Sequence, residues 1–236
     1  MKVVLPRGSG KAGKRVSLDE HEIHHLKVRR AKDGEPVQVL DGAGLVGTGT
    51  LVQVGREWMV EIGSAELQPL PAPLTLAVAM GDRDRFSWMI EKLVELGVTR
   101  VVPLQSERTA GVATRLKDVH LDWLRRSALD AIKQCGAAWV PAIDTPRTLS
   151  EFAREPLGAT AWLADVCGAP APASLDDGAV TVIIGPEGGL TSTERDTAIA
   201  AGYQLVSLGL HTLRFETAAV AAAAAVTQAR MRSAHG

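Results

Sequence analysis

Cysteine is nearly absent. Cys135 and Cys167 are the only two in 236 residues, which excludes a disulfide-stapled scaffold; their spacing matches no zinc site, and they read as reduced thiols. Aromatics are scarce too: three Phe, one Tyr and five Trp are too few for an extended platform on which nucleobases stack. The longest apolar runs, Leu74–Met80 and Val180–Ile184, fall far short of the roughly 20 residues that cross a bilayer. The N-terminus has charges but no apolar core of signal-peptide length, so a cytoplasmic protein without a membrane segment is expected. Neither G-x-x-x-x-G-K-S/T nor G-x-G-x-x-G occurs, which disfavours nucleoside triphosphates and dinucleotides as ligands. No His/Cys cluster has ligand spacing, and no metal is expected.

Net charge is also lacking, at −1, but its distribution is uneven. Residues 1–32 hold nine Lys/Arg against Asp19, Glu20 and Glu22, a surplus of six that leaves the remainder at −7. A basic end on a mildly acidic body suits a polyanion-docking module attached to a second domain; a solvated basic arm is the plainer alternative. With 46% hydrophobic and 22% charged residues, the chain can bury a core and has room for an ordinary domain with a smaller companion.

The patterning divides further along the chain, near residue 68. Residues 1–68 carry short valine- and leucine-rich stretches, Val37–Leu40, Leu45–Val54 and Trp58–Ile62, punctuated by glycines, and predict a small β-barrel or meander. Glu66–Pro73, with three prolines, reads as a linker. Residues 69–236 alternate strands and helices: strands at Leu74–Met80, Val98–Leu104, Trp139–Ile143, Thr160–Ala164, Val180–Ile184 and Gln204–Leu208; helices at Asp84–Leu96, Val119–Gln134, Ser192–Ala201 and Glu216–Met231. That alternation predicts an α/β domain with a mostly parallel sheet. The alanine run Ala221–Ala225 needs no more than helix propensity, although its smooth face would also suit a close helix contact between subunits.

Two strand–glycine loop–helix junctions carry the chemistry. The first runs through Ile184, Gly185, Pro186, Glu187, Gly188 and Gly189, with Thr191 or Ser192 as helix N-cap and Glu194 in the first turn. The second runs through Leu208, Gly209, Leu213, Arg214, Phe215 and Glu216. Glycines let the backbone approach a ligand closely, and the carboxyl ends of parallel strands are where open α/β sheets bind one. Either loop alone could be a structural turn; two at the ends of successive strands can enclose one small molecule.

Gly185-Pro-Glu-Gly-Gly189, Leu208-Gly209 and Leu213-Arg-Phe-Glu-Thr-Ala218 resemble the RsmE family of SPOUT-class RNA methyltransferases. His24-His25-Leu26 through Gly34, Asp41-Gly42, Lys92–Val98 and Pro103–Arg108 are similar to further family motifs, so the resemblance covers nearly the whole chain. It implies a PUA-like β-barrel RNA-docking domain over 1–68 and a SPOUT domain with a trefoil knot over 69–236. It also implies a homodimer that uses S-adenosyl-L-methionine to methylate N3 of a uridine in 16S rRNA of the small ribosomal subunit. Four positions depart from the family's pattern: Asp82 for a lysine, Ala137 for an arginine, and Leu210-His211 for Pro-Arg.

On this resemblance Ile184, Gly185, Pro186, Glu187, Gly188, Gly189, Leu208, Gly209 and Leu213 would hold the cofactor. The uridine N3–H is weakly acidic, so either a carboxylate, Glu216, takes its proton, or a cation, Arg214 or Arg108, stabilises the anion. Arg214 is the favoured of these. Arg7, His25, Lys27, Arg29 and Arg30 are the candidates for RNA contact. Two other functions remain open: methylation of a ribose 2′-hydroxyl, and an RNA-binding assembly factor that transfers no methyl group.

Overall fold

A computed structural model describes residues 1–55, 57–109 and 118–234. The chain forms two compact units, Met1–Pro71 with Leu129–Val140, and Ala72–Ala128 with Pro141–Gly236.

The first unit holds β1 (Lys2–Val4), β2 (Arg15–Ser17), α1 (Glu20–Val28), β3 (Pro36–Leu40), β4 (Leu45–Val54) and β5 (Glu57–Leu67) in a sheet of order β1-β3-β4-β5-β2. The β1–β3 pair is parallel and the others antiparallel. Alternation decides which face is buried: Val37 and Val39 point inward with Val3, Leu51, Val60 and Ile62, while Pro36 and Gln38 face solvent. A bulge between Thr48 and Gly49 bends β4, where Gly47 and Gly49 let the backbone of β5 come close. Helix α1 has no periodic signature in the sequence. Its stretch is polar, and the helix rests on Asp19, whose side chain accepts from Glu22 N at 2.8 Å, and on the burial of Leu26. At its other end Arg30 sits at φ +54°, with bonds from Arg30 N to Lys27 O and Ala31 N to Leu26 O. This is a Schellman turn with arginine where glycine usually stands.

The Lys133 ammonium lies 2.6 Å from both Glu22 and Asp130. Burial lowers its pKa, but its bonds to Asp130 and Glu22 outweigh that and raise it. His21, Glu22 and Asp130 are the one group of potential metal ligands among the described residues, and Lys133 already pairs with both carboxylates. The linker begins later than expected, because β5 runs through Leu67. Trp139 is not part of a six-stranded continuation either. Only Ala142–Ile143 of the expected strand pairs in the parallel sheet, since Pro141 has no N–H to donate. The indole stacks over Gly44, where a side chain would collide, and donates to Pro69 O at 3.0 Å.

The second unit contains β6 (Leu74–Ala79), α2 (Arg83–Glu95), β7 (Arg100–Gln105), a 3₁₀ turn (Glu107–Thr109), α3 (Asp118–Cys135), β8 (Ala142–Ile143), β9 (Arg147–Thr148), α4 (Leu149–Phe152), β10 (Thr160–Pro170), β11 (Val180–Ile184), α5 (Ser192–Ala200), β12 (Gln204–Ser207) and α6 (Phe215–Ala234). The last turns of α3 are counted with the first unit. Every pairing is parallel, in the order β12-β10-β11-β6-β7-β8, with β9 also on β7. Leu76, Ala77, Val78, Val182, Ile183 and Ile184 are buried without alternation, as strands covered on both faces require. β10 extends past the expected Ala164: Val206 pairs with Ala164 and again, across a register shift, with Ala169. α6 packs on α2, β6 and β11, burying Ala218, Ala219, Ala222 and Ala223. One side of the alanine run is therefore used inside the unit, while Ala221, Ala224 and Ala225 are half-buried.

Candidate active site

Strands β10, β11 and β12 lie side by side, and the irregular middle of β10, at 163–166, joins the loops after β11 and β12 in enclosing a cleft of about 360 Å³, within the range of small-molecule sites. All nine residues expected at the cofactor line it: Ile184, Gly185, Pro186, Glu187, Gly188, Gly189, Leu208, Gly209 and Leu213. Local chemistry explains the first loop. Gly189 N donates to Pro186 O at 2.8 Å, closing a turn that needs φ +69° at Gly189. A Cβ on Gly185 would press Leu190 Cγ at 3.1 Å.

The turn leads straight into a capping box. Thr191 is the N-cap of α5, accepting from Glu194 N at 3.3 Å, while Glu194 Oε2 accepts from Thr191 N at 2.9 Å. Glu194 is buried, and its other oxygen accepts from Glu107 N at 2.9 Å, tying the loop to the 3₁₀ turn. From that turn Arg108 donates to Gly188 O. Arg108 thus braces the loop's backbone from outside the cleft.

Sequence reasoning missed Asp165 and Arg195, which also line the cleft. Asp165 accepts from Cys167 N at 2.8 Å and from Arg195 Nε at 3.0 Å. The backbone bond, then the Arg195 bond and charge, hold its carboxyl below the usual range against the opposing effect of burial. The signal was available, since Asp165 follows directly on Thr160–Ala164 in a strand of the same sheet, but it stands in no glycine-rich motif.

A second cluster lies where α2 and α6 begin. Gly81 leaves space that Phe215 fills, and Phe215 stacks on Phe86 with ring centroids 6.1 Å apart. This brings the neighbouring residues Glu216 and Arg85 together, with Arg85 Nε 4.0 Å from Glu216 Oε1 and Arg85 Nη1 4.0 Å from Glu187 Oε1. Asp82, the departure from lysine, caps α2 by accepting from Asp84 N and Arg85 N at 3.1 Å each. Glu216 is 7% exposed, and its Oε2 has no hydrogen-bond partner among the described residues. Arg214 is exposed just ahead of α6. Arg108, Arg214 and Glu216 are not among the lining of the cleft, whereas Glu187 is.

In the first unit Lys27, Arg29 and Arg30 are exposed together at the C-terminal end of α1, where cations also suit the helix dipole. His25 is exposed one turn earlier, its ring 6.1 Å from that of His21. Arg7 stands apart on the loop after β1, donating to Gly42 O at 3.4 Å.

Residues 68–227 match the family model of an RNA methyltransferase domain, and residues 18–64 match that of an RNA methyltransferase PUA domain. Ribosomal RNA small subunit methyltransferase E of Synechocystis is 34% identical over 222 residues, covering 89% of this chain and 72% of that protein. The enzyme of the same name from Neisseria gonorrhoeae, solved bound to S-adenosyl methionine, superposes with a TM-score of 0.80 at 30% identity, covering 95% of each chain. A methyltransferase of Legionella pneumophila, solved with bound SAM, gives 0.83 at 26% identity, covering 94% of this chain and 95% of that one. With a family model over most of its length and such relatives on either side of it, this chain belongs to the ribosomal RNA small subunit methyltransferase E family, the RsmE branch of the RNA methyltransferases.

Proposed function

We propose that this protein methylates N3 of one uridine in 16S rRNA of the small ribosomal subunit, using S-adenosyl-L-methionine. The observation that carries the reading is the cleft between the 185–190 and 207–213 loops. Its backbone is bared by Gly185, Gly188, Gly189 and Gly209, and a Cβ at Gly185 would crowd it. Such a cradle fits a nucleoside-sized cofactor, with Leu208 and Leu213 flanking the adenine and the strand-end backbone reading its edge. When bound, the cofactor supplies an electrophilic methyl group on a sulfonium, so the protein's task is chiefly positioning.

The remaining work falls on this chain's own groups. Glu216 Oε2 is the acceptor for the N3 proton, and its lack of a hydrogen-bond partner among the described residues supports that role. Arg214, exposed beside it in sequence, stabilises charge on a carbonyl oxygen of the base. Arg108 shapes the cofactor loop through Gly188. N3 lies on the pairing edge, so the target is read unpaired or flipped out.

RNA docking belongs to the module spanning 1–68, through Arg7, His25, Lys27, Arg29 and Arg30, and catalysis to 69–236. The protein acts in the cytoplasm as a homodimer. Leu210, 93% exposed on the rim loop, supports a contact there. The trefoil knot belongs to the same reading: β11 lies between β6 and β10, and β10 lies between β11 and β12, which follow it in sequence. No helix of the described residues is long and apolar enough to cross a membrane.

The test is to incubate small subunits lacking the modification with protein and labelled S-adenosylmethionine, then map the product. N3-methyluridine blocks base pairing and stops reverse transcription at one uridine. Ribose methylation with no such stop would assign a different acceptor atom. Binding of the methyl donor without transfer would indicate an assembly factor.

A further inference from the structure

Glu216 presents a buried carboxylate oxygen that nothing in its surroundings satisfies among the described residues. Buried acceptors are nearly always paired, so an orphan of this kind marks a place for a donor supplied from outside. Among the described residues Arg85 faces it, with Nε 4.0 Å from Glu216 Oε1 and Nη1 4.0 Å from Glu187 Oε1 on the cofactor loop. Both separations attract, yet both exceed hydrogen-bond length. The guanidinium therefore stands between Glu187, which lines the cofactor cleft, and Glu216 Oε1, the oxygen next to the orphan, with neither carboxylate within hydrogen-bond length of its fork of donors.

Building on the uridine-N3 reading, we propose that Arg85 is a further catalytic and specificity-determining residue: it donates to a carbonyl oxygen flanking N3 while Glu216 Oε2 accepts the N3–H. The pairing edge of uracil shows carbonyl, N–H, carbonyl. A cation beside a bare carboxylate oxygen is the complementary donor and acceptor. Cytosine has an unprotonated ring nitrogen at the same place, so Glu216 would face another acceptor, and the mismatch rejects it. When the N3–H bond breaks, the proton goes to Glu216 and the electron pair stays on the base, where its charge spreads to the carbonyl oxygens. Arg85 meets that growing charge. The N3 pair then forms the bond to the donor's methyl carbon while the carbon–sulfur pair returns to sulfur, and Glu216 releases its proton to solvent.

Position follows from the fold. Asp82 holds the backbone of Arg85 at the cap of α2, and the Phe86–Phe215 stack fixes α2 against α6. The forked shape matters as well as the charge, so lysine should replace arginine only in part.

The test compares wild type, Arg85→Ala, Arg85→Lys and Glu216→Gln for single-turnover methylation of unmodified small subunits across pH, with S-adenosylmethionine affinity measured by calorimetry. Arg85→Ala should slow transfer by roughly 10²–10³-fold, as loss of an oxyanion donor does, and leave cofactor affinity within about twofold. The deficit should narrow as pH rises, because the base then ionises without help. Arg85→Lys should recover part of the rate, and it serves as the informative variant if alanine impairs folding. A loss below about threefold, an affinity loss equal to the rate loss, or a deficit constant across pH would each overturn the assignment. Should wild type itself make no N3-methyluridine, the underlying reading fails; if wild type does so and Arg85→Ala matches it, only the role of Arg85 falls.

Discussion

Glu194 joins the cofactor loop to the rest of the site, and its removal has a calculable effect. It accepts from Glu107 N at 2.9 Å, Thr191 N at 2.9 Å and Thr191 Oγ1 at 3.1 Å, from a buried position. Hydrogen bonds to a charged group contribute about 1.5–3 kcal/mol each. Thr191 is half-buried, so water can replace part of what its groups lose. Thr191 also keeps its own cap bond to the backbone of residue 194. Glu194→Ala should therefore destabilise the second unit by about 2–4 kcal/mol, which for a unit of this size lowers Tm by roughly 4–16 °C. Glu194→Gln retains one acceptor oxygen without the charge and should lose about half as much. Because Arg108 rides on the same 3₁₀ turn, S-adenosylmethionine affinity should also fall by about tenfold in the alanine variant, equivalent to ~1.4 kcal/mol. Calorimetry gives both quantities. An alanine variant that melts within about 1 °C of wild type and binds the cofactor equally well would refute the reasoning.

Three further outcomes are expected. Gly189→Val places a β-branched residue at φ +69°, a conformation that costs an ordinary L-residue about 1–2 kcal/mol and a branched one more; cofactor affinity measured by titration should fall at least ~10-fold. Arg30→Gly relieves the strained φ of +54° and should raise stability in chemical denaturation by about 0.5–1 kcal/mol. The same change should weaken RNA binding and reduce its salt slope by about one, separating stability from function. For pH, the Arg100 hydrogen bond holds Glu155 below its usual pKa, and the Cys167 backbone bond does the same for Asp165. Carboxyls depressed in the folded state stabilise it above their unfolded values, near 4, and that stability is lost as pH falls through the folded values. Arg100→Met should flatten this acid limb in melts taken between roughly pH 5 and pH 2.

What could be read from the sequence was whatever had a local period or a local turn. The strand Val180–Ile184, the loop through Gly189 and the helix from Ser192 each announce themselves within a few residues, and the structure has them where expected. α1 was invisible because its stretch offers only Ile23, Leu26 and Val28 as apolar residues, and the cap at Asp19 supplies what periodicity does not. The end of β10 was missed because a bulge at 164–169 interrupts its pairing. The encounter of Arg85 with Glu216 joins residues far apart in sequence through the fit of Phe215 against Gly81 and Phe86. No motif encodes that fit: Arg214 adjoins Glu216 in sequence, whereas Arg85 approaches it in space. Asp165 escapes sequence reading for a related reason: it lines the cleft from the bulge within β10, which has no glycine signature.

The most direct measurement is nucleoside mapping of 16S rRNA from unmodified small subunits after a single round with this protein and isotopically labelled S-adenosylmethionine. One labelled N3-methyluridine is expected, strongly reduced with Glu216→Gln although that variant still binds the methyl donor. Label on a ribose oxygen or another base, or none at all with cofactor bound, would contradict it.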